Sequence, residues 1–152
     1  MKTLGNAQDR AEILARLRKL RPDSQRQWGK MTAHQAICHL SDAFKARSGE
    51  KTGSPADNWF TRSVLKWLAL QTPLPWPHGV KTRPEMDQAI GGTPPGEFER
   101  DQHELANLIE RFCQPAQAAP FQPHPIFGEL SEAEWLRWGY LHADHHFRQF
   151  GI

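Results

Sequence analysis

The stretch LSEAEWLRWGYLHADHHFRQFG, residues 130–151, decides the fold class. Ser131 and Glu134 have capping-box spacing: the hydroxyl can accept from a free amide, and the Glu side chain can return the bond. Leu130 before the cap and Trp135 after it make a hydrophobic staple. Trp135, Trp138, His142, His146 and Gln149 then recur at helical spacing. The pattern predicts a helix to about Gln149, with Gly151 capping its end. A face carrying two tryptophans and two histidines should meet other helices.

Working outward, four further stretches predict helices. Gln8 to Leu20 carries Ile13, Leu14, Leu17 and Leu20 on one face, and Arg21-Pro22 stops it. Thr32 with Gln35 is a second capping box, followed by Ala33, Ala36, Ile37, Leu40, Ala43 and Phe44, with an end near Gly49. A third helix is expected from Ser54-Pro55, with Asp57 in its first turn and Phe60, Val64, Trp67 and Leu68 facing inward until Pro73. Glu97 to Phe112 places Phe98, Leu105, Leu108, Ile109 and Phe112 inward. No segment alternates as a strand would. The expectation is an all-α protein: a four-helix bundle with an extra helix and long Pro-rich crossovers, forming one domain over residues 1–152.

The crossovers run from Gln71 to Gly96 and from Cys113 to Leu130, the latter with Pro115, Pro120, Pro123 and Pro125. Trp76, set among prolines, is expected to cover one end of the bundle or to wall a pocket. With 19 Lys and Arg against 17 Asp and Glu, the charge is nearly balanced and does not demand nucleic acid. The basic run from Arg10 to Lys30 reads as a solvated helix face. Two cysteines are too few for a disulfide scaffold, and Cys38 and Cys113 read as buried apolar thiols. The longest apolar runs are too short to span a membrane, and the N-terminus has no apolar signal core. A cytoplasmic protein is expected.

Eight histidines are the unusual count. His142 and His146 stand four apart, so a helix puts both rings on one face, with Cβ atoms about 6 Å apart. Two such imidazoles can reach one metal ion at about 2.0–2.1 Å each. Spacing alone fits better two partly buried rings bonded to neighbouring backbone or to Asp144. His39 sits at the edge of the apolar face of the second helix, where it could aim into a cleft. His34 and Cys38 should point elsewhere, since residues five and one positions away lie well around the helix. His124, in His124-Pro125-Ile126-Phe127-Gly128, could approach the mouth of such a site or cap its own turn.

One His in the middle of the second helix, followed far along by His142-Ala143-Asp144-His145-His146 and Gln149, resembles the DinB-like (YfiT-like) superfamily of metal-binding four-helix bundles. The chain departs from its His-His-Arg-Gly-Gln ending at Phe147 and in the missing Gly. Trp28-Gly29-Lys30-Met31-Thr32, His124 to Gly128 with Trp135, and His142 to Gly151 look like one domain-of-unknown-function family related to it. The resemblance implies a divalent metal, zinc or nickel foremost, held by His39, His142 and His146. Asp144, Gln149 and His124 are the candidates to support those ligands.

Characterised members of the superfamily include transferases and an isomerase that use low-molecular-weight thiols. The expected function is therefore a metal-dependent transferase or hydrolase acting on a small molecule, with a small thiol as partner. Nucleic acid and membrane are not expected partners, and a homodimer stays open. The alternative is a non-catalytic bundle in which the ion ties two helices and the Pro-rich loop meets a partner.

Overall fold

The computed structural model describes residues 1–114 and 121–152; the part of the second crossover with Pro115 and Pro120 lies outside them. The chain is all-helical: α1 (Ala7–Lys19), α2 (Ala33–Ser48), α3 (Lys66–Gln71), α4 (Phe98–Phe112) and α5 (Glu132–Gln149). A π-helical turn, Thr61–Leu65, leads into α3, and a 3₁₀ turn, Pro84–Met86, interrupts the first crossover. Among the described residues there is no strand, only an isolated bridge between His124 and Gly128.

The caps follow local chemistry. Both capping boxes form, Thr32 with Gln35 and Ser131 with Glu134. Gly49 ends α2 at φ 78°, a left-handed conformation that costs glycine nothing and other residues a steric penalty. Asn6 caps α1 by accepting from the amides of Gln8 and Asp9.

Each of the four long helices packs against two others: α1 on α4 and α5, α2 on α4 and α5. They share a core in which Leu17, Leu40, Phe44, Leu105, Leu108, Trp135 and Trp138, all expected inside, are buried. An aromatic series runs through it, from Phe44 on Phe112 (4.7 Å between centroids) to Trp135 on Trp138 (5.2 Å).

The third helical stretch departs from expectation. Ser54, Pro55 and Asp57 are not helical; Asn58 caps instead, accepting from the Thr61 amide, and Asp57 pairs with Arg62. The stripe of Phe60, Val64, Trp67 and Leu68 faces out, Trp67 being 58% exposed, while Leu70 is fully buried. The stretch meets the core through Leu65, Ala69 and Leu70, with α3 lying on α5, so the periodic stripe is the side left uncovered. No helix among the described residues is long and apolar enough to cross a membrane.

Candidate metal centre

α2 and α5 bring His39, His142 and His146 together. Their ring centroids form a near-equilateral triangle with sides of 5.0, 4.8 and 5.0 Å. One nitrogen from each lies within 4.8 Å of the others, a set that could hold a metal ion. His39 and His146 are buried, and His142 is half-buried.

Hydrogen bonds select the tautomers. His39 Nδ1 lies 2.9 Å from the Met86 carbonyl, which only accepts, so Nδ1 carries the proton and Nε2 keeps its lone pair. His146 Nδ1 lies 3.0 Å from Gln149 Oε1. Gln149 Nε2 donates to the Trp28 carbonyl at 2.9 Å, which orients the amide so that Oε1 faces the ring. His146 Nδ1 therefore donates as well, and its Nε2 is free to ligate. Gly29 makes this reach feasible: it sits at φ 77°, and a Cβ there would stand 2.5 Å from Gln149 Nε2. Thus Trp28-Gly29 serves the histidines through one glutamine.

His142 Nε2 lies 3.1 Å from His39 Nε2. Two nitrogens at about 2.0–2.1 Å from one ion are roughly 2.9–3.4 Å apart, so the pair has the spacing of ligands sharing an ion. Without an ion, His142 Nε2–H donates to the His39 lone pair. His142 Nδ1 is buried with no hydrogen-bond partner among the described residues. The rings thus fit a divalent ion by donor type and spacing, and His142 ligates once its proton moves from Nε2 to Nδ1. Burial pushes all three pKa values below the ordinary 6.5, and the neighbouring imidazoles push His142 and His146 further. All three are therefore neutral near pH 7, as ligation requires.

Of the expected supporting residues, only Gln149 touches a ligand histidine. Asp144 turns to α1, where its carboxylate takes Arg16 at 2.7 Å, with Arg148 at 3.7 Å. Its place two residues from both histidines carries it off their face. His124 caps its own turn: Nδ1 accepts from the amides of Ile126 and Phe127, both at 3.1 Å. Its ring is buried against Trp135 and Trp138, and Trp138 in turn packs on His142 at 4.8 Å. His124 thus lies one aromatic layer behind the site, and burial lowers its pKa to about 3.

His34 and Cys38 do point elsewhere, to Asp101 on α4. His34 Nε2 is 2.9 Å and Cys38 Sγ 3.7 Å from its Oδ2, which also accepts from the Gly96 amide at 2.8 Å. These three donors could also hold an ion by their spacing, but the carboxylate already has its hydrogen-bond partners. Cys38 is not in apolar surroundings; burial and Asp101 raise its thiol to about 12, so it stays protonated.

Two features had no periodic signal in sequence. One is Asp42, buried three residues after His39. It accepts from the Thr93 amide (2.8 Å), the Thr93 hydroxyl (2.6 Å) and Gln88 Nε2 (3.2 Å). It thereby pins to α2 the loop whose Met86 carbonyl orients His39. A carboxylate between Leu40 and Phe44 was the available signal. The other is a cleft beside the histidines, lined among others by Trp28, Trp76, His78, Arg137, His145 and Arg148. Trp28 stacks on His78 at 4.0 Å, and Trp76, a pocket wall, lies 6.0 Å from His142.

A family model described as a protein of unknown function (DUF1569) matches residues 5–151, and the chain belongs to that family. No curated protein and no solved structure matches it.

Proposed function

We propose that this member of the DUF1569 family is a DinB-like metal protein, with His39, His142 and His146 as the ligands of one divalent ion. The carrying observation is that three imidazoles from two helices converge while Met86 and Gln149 hold two of them in the ligating tautomer. A structural histidine needs one partner; a converging set with two of its three outer nitrogens already bonded is arranged for an ion. Three neutral nitrogens leave coordination positions open, which is the catalytic rather than the closed structural arrangement.

The activity proposed is transfer to, or hydrolysis of, a small molecule, with a low-molecular-weight thiol as partner. The ion, when bound, supplies a Lewis acid that favours the deprotonated form of a thiol or water. The chain's own share is positioning. Met86 and Gln149 hold ring orientation, Asp42 holds the loop that carries Met86, and the cleft lined by Trp28, Trp76, His78, Arg137 and His145 gives a small molecule a place near the histidines, with Trp76 between it and His142.

The experiment is metal content and zinc titration of the wild type and of a His142→Ala, His146→Ala double variant, followed by thiol-transfer rates with cysteine as the probe thiol. Uptake of one equivalent lost in the double variant, and a rate lost with it, are expected. Equal uptake by both proteins rejects the site. Uptake that raises the melting temperature without any rate favours the second reading, an ion that ties α2 to α5.

A further inference from the structure

Trp59, Phe60, Val64, Trp67 and Leu68 form an outward stripe over the π turn and α3, with Trp59 78% exposed and Phe60 51% exposed. Phe60, Val64, Trp67 and Leu68 stay exposed while Leu65, Ala69 and Leu70 turn to the core, so the exposed residues share one side of this stretch. Their exposed area amounts to about 600 Å², at the upper end of the largest apolar patch on a typical monomer. Single exposed apolar residues need no explanation, but two tryptophans and a phenylalanine on one stripe do.

The geometry points to a second copy of this chain as the occupant, in a two-fold pair that sets stripe against stripe. Charge decides among occupants. Arg62 is paired with Asp57, and Lys66 with Glu134 at 3.1 Å, so the cations on this element are already neutralised by the chain's own acids. A patch meant for an acidic protein or an anionic membrane would keep them free. A two-fold interface places a surface against itself, which a neutral patch tolerates and a charged one resists. Area agrees: about 600 Å² from each copy, with the polar rim added, reaches the roughly 800 Å² per partner of a standard interface. A two-turn apolar stripe packs against its own antiparallel copy, Trp67 of one chain meeting the Phe60 end of the other.

The proposal is independent of the metal, because the stripe lies apart from the three histidines in sequence and carries none of them. Sedimentation velocity over a range of concentrations tests it on wild type, Trp67→Glu, and a Trp59→Ser, Trp67→Ser double variant, with helicity checked by circular dichroism. Because these side chains are exposed, the variants should fold. Wild type should sediment as a dimer, twice the 17.4 kDa of one chain. Trp67→Glu should weaken association by about 100-fold or more, as burying a charge in place of an aromatic anchor does. A Val64→Cys variant should cross-link to dimer on mild oxidation. A monomeric wild type at high concentration overturns the proposal. A dimer that survives Trp67→Glu overturns it too, because another face then holds the copies together. Monomers that bind phosphatidylglycerol vesicles would make the patch a membrane surface and overturn it equally.

Discussion

α5 and the helical stretch over residues 59–71 carry the same kind of pattern and have opposite fates. Both place large apolar residues at helical spacing. In α5 the stripe of Trp135, Trp138, His142 and His146 faces the other helices, with Trp135 fully buried. In the shorter stretch the stripe of Phe60, Val64, Trp67 and Leu68 faces out. A periodic stripe therefore says that a helix has a face to cover and not which partner covers it. The inward face of α5 also carries polar atoms: His146 is held by Gln149 of the same helix, which is itself anchored to the Trp28 carbonyl, and His142 meets His39 of α2.

The sharpest way to break this comparison is to truncate one tryptophan from each stripe. Trp135→Ala should cost about 3–5 kcal/mol of unfolding free energy, because it empties a close-packed position. Trp67→Ala, measured at concentrations too low for self-association, should change it by no more than about 0.5 kcal/mol. Denaturant titrations of the two variants check both. Equal effects would mean that the faces are misassigned.

Acid should separate the regions next. The metal-free protein buries His39, His124, His142 and His146 with lowered pKa values. Below pH 6.5 the unfolded chain takes up protons that the folded chain refuses, so stability falls as pH falls. For His124 the window runs from 6.5 down to about 3, and at pH 4 that ring alone accounts for about 3 kcal/mol. Between pH 6.5 and 4.5 the histidines dominate, since the lowered carboxylates such as Glu134 titrate below 4.5. Because the ligand pKa values are also lowered, metal affinity should hold to below pH 6.5 before proton competition begins. Melting temperature against pH, with and without zinc, measures both effects. A flat metal-free profile from pH 7 to 4.5 would contradict the burial.

A third change probes the outer bonds of the site. Gln149→Met keeps the volume but removes the acceptor from His146 Nδ1 and the donor to the Trp28 carbonyl. Zinc affinity should drop about 10–100-fold, with the helix content unchanged. Isothermal titration measures it, and unaltered affinity would show that His146 holds its orientation by packing alone.

How much of this was legible in sequence follows from what is periodic. Helix ends were readable because Thr32, Gln35, Ser131 and Glu134 act within four residues of each other. The convergence of His142 and His146 was readable because it depends on α5 alone, and His39 because it shares a helix edge with apolar neighbours. The Met86 carbonyl was not readable. It comes from a loop without periodicity, and backbone carbonyls carry no residue code. The outward face of α3 was not readable either, because a periodic stripe does not say which side of a short helix the core covers.

The smallest expected effect concerns Asp144, which lies in the same helical turn as the ligand histidines and yet should leave them alone. Asp144 faces α1, where it holds Arg16 at 2.7 Å. Arg16 also bonds the backbone carbonyls of Ile152 at 2.8 Å and of Asp144 itself at 3.4 Å, and its charge faces Glu12 at 3.8 Å. Asp144→Asn therefore removes the ion pair with Arg16 and the longer one with Arg148, and leaves the Arg16 guanidinium bonded elsewhere. With both side chains partly exposed, solvent screens the pair, and the loss should be about 0.5–1 kcal/mol. Zinc affinity should stay within about twofold of wild type, against the 10–100-fold drop for Gln149→Met. Titration calorimetry on the two variants side by side makes the test. If Asp144→Asn weakens zinc as much as Gln149→Met does, then the helix face assigned to the metal is too narrow, and the carboxylate acts on the histidines through the α1–α5 contact.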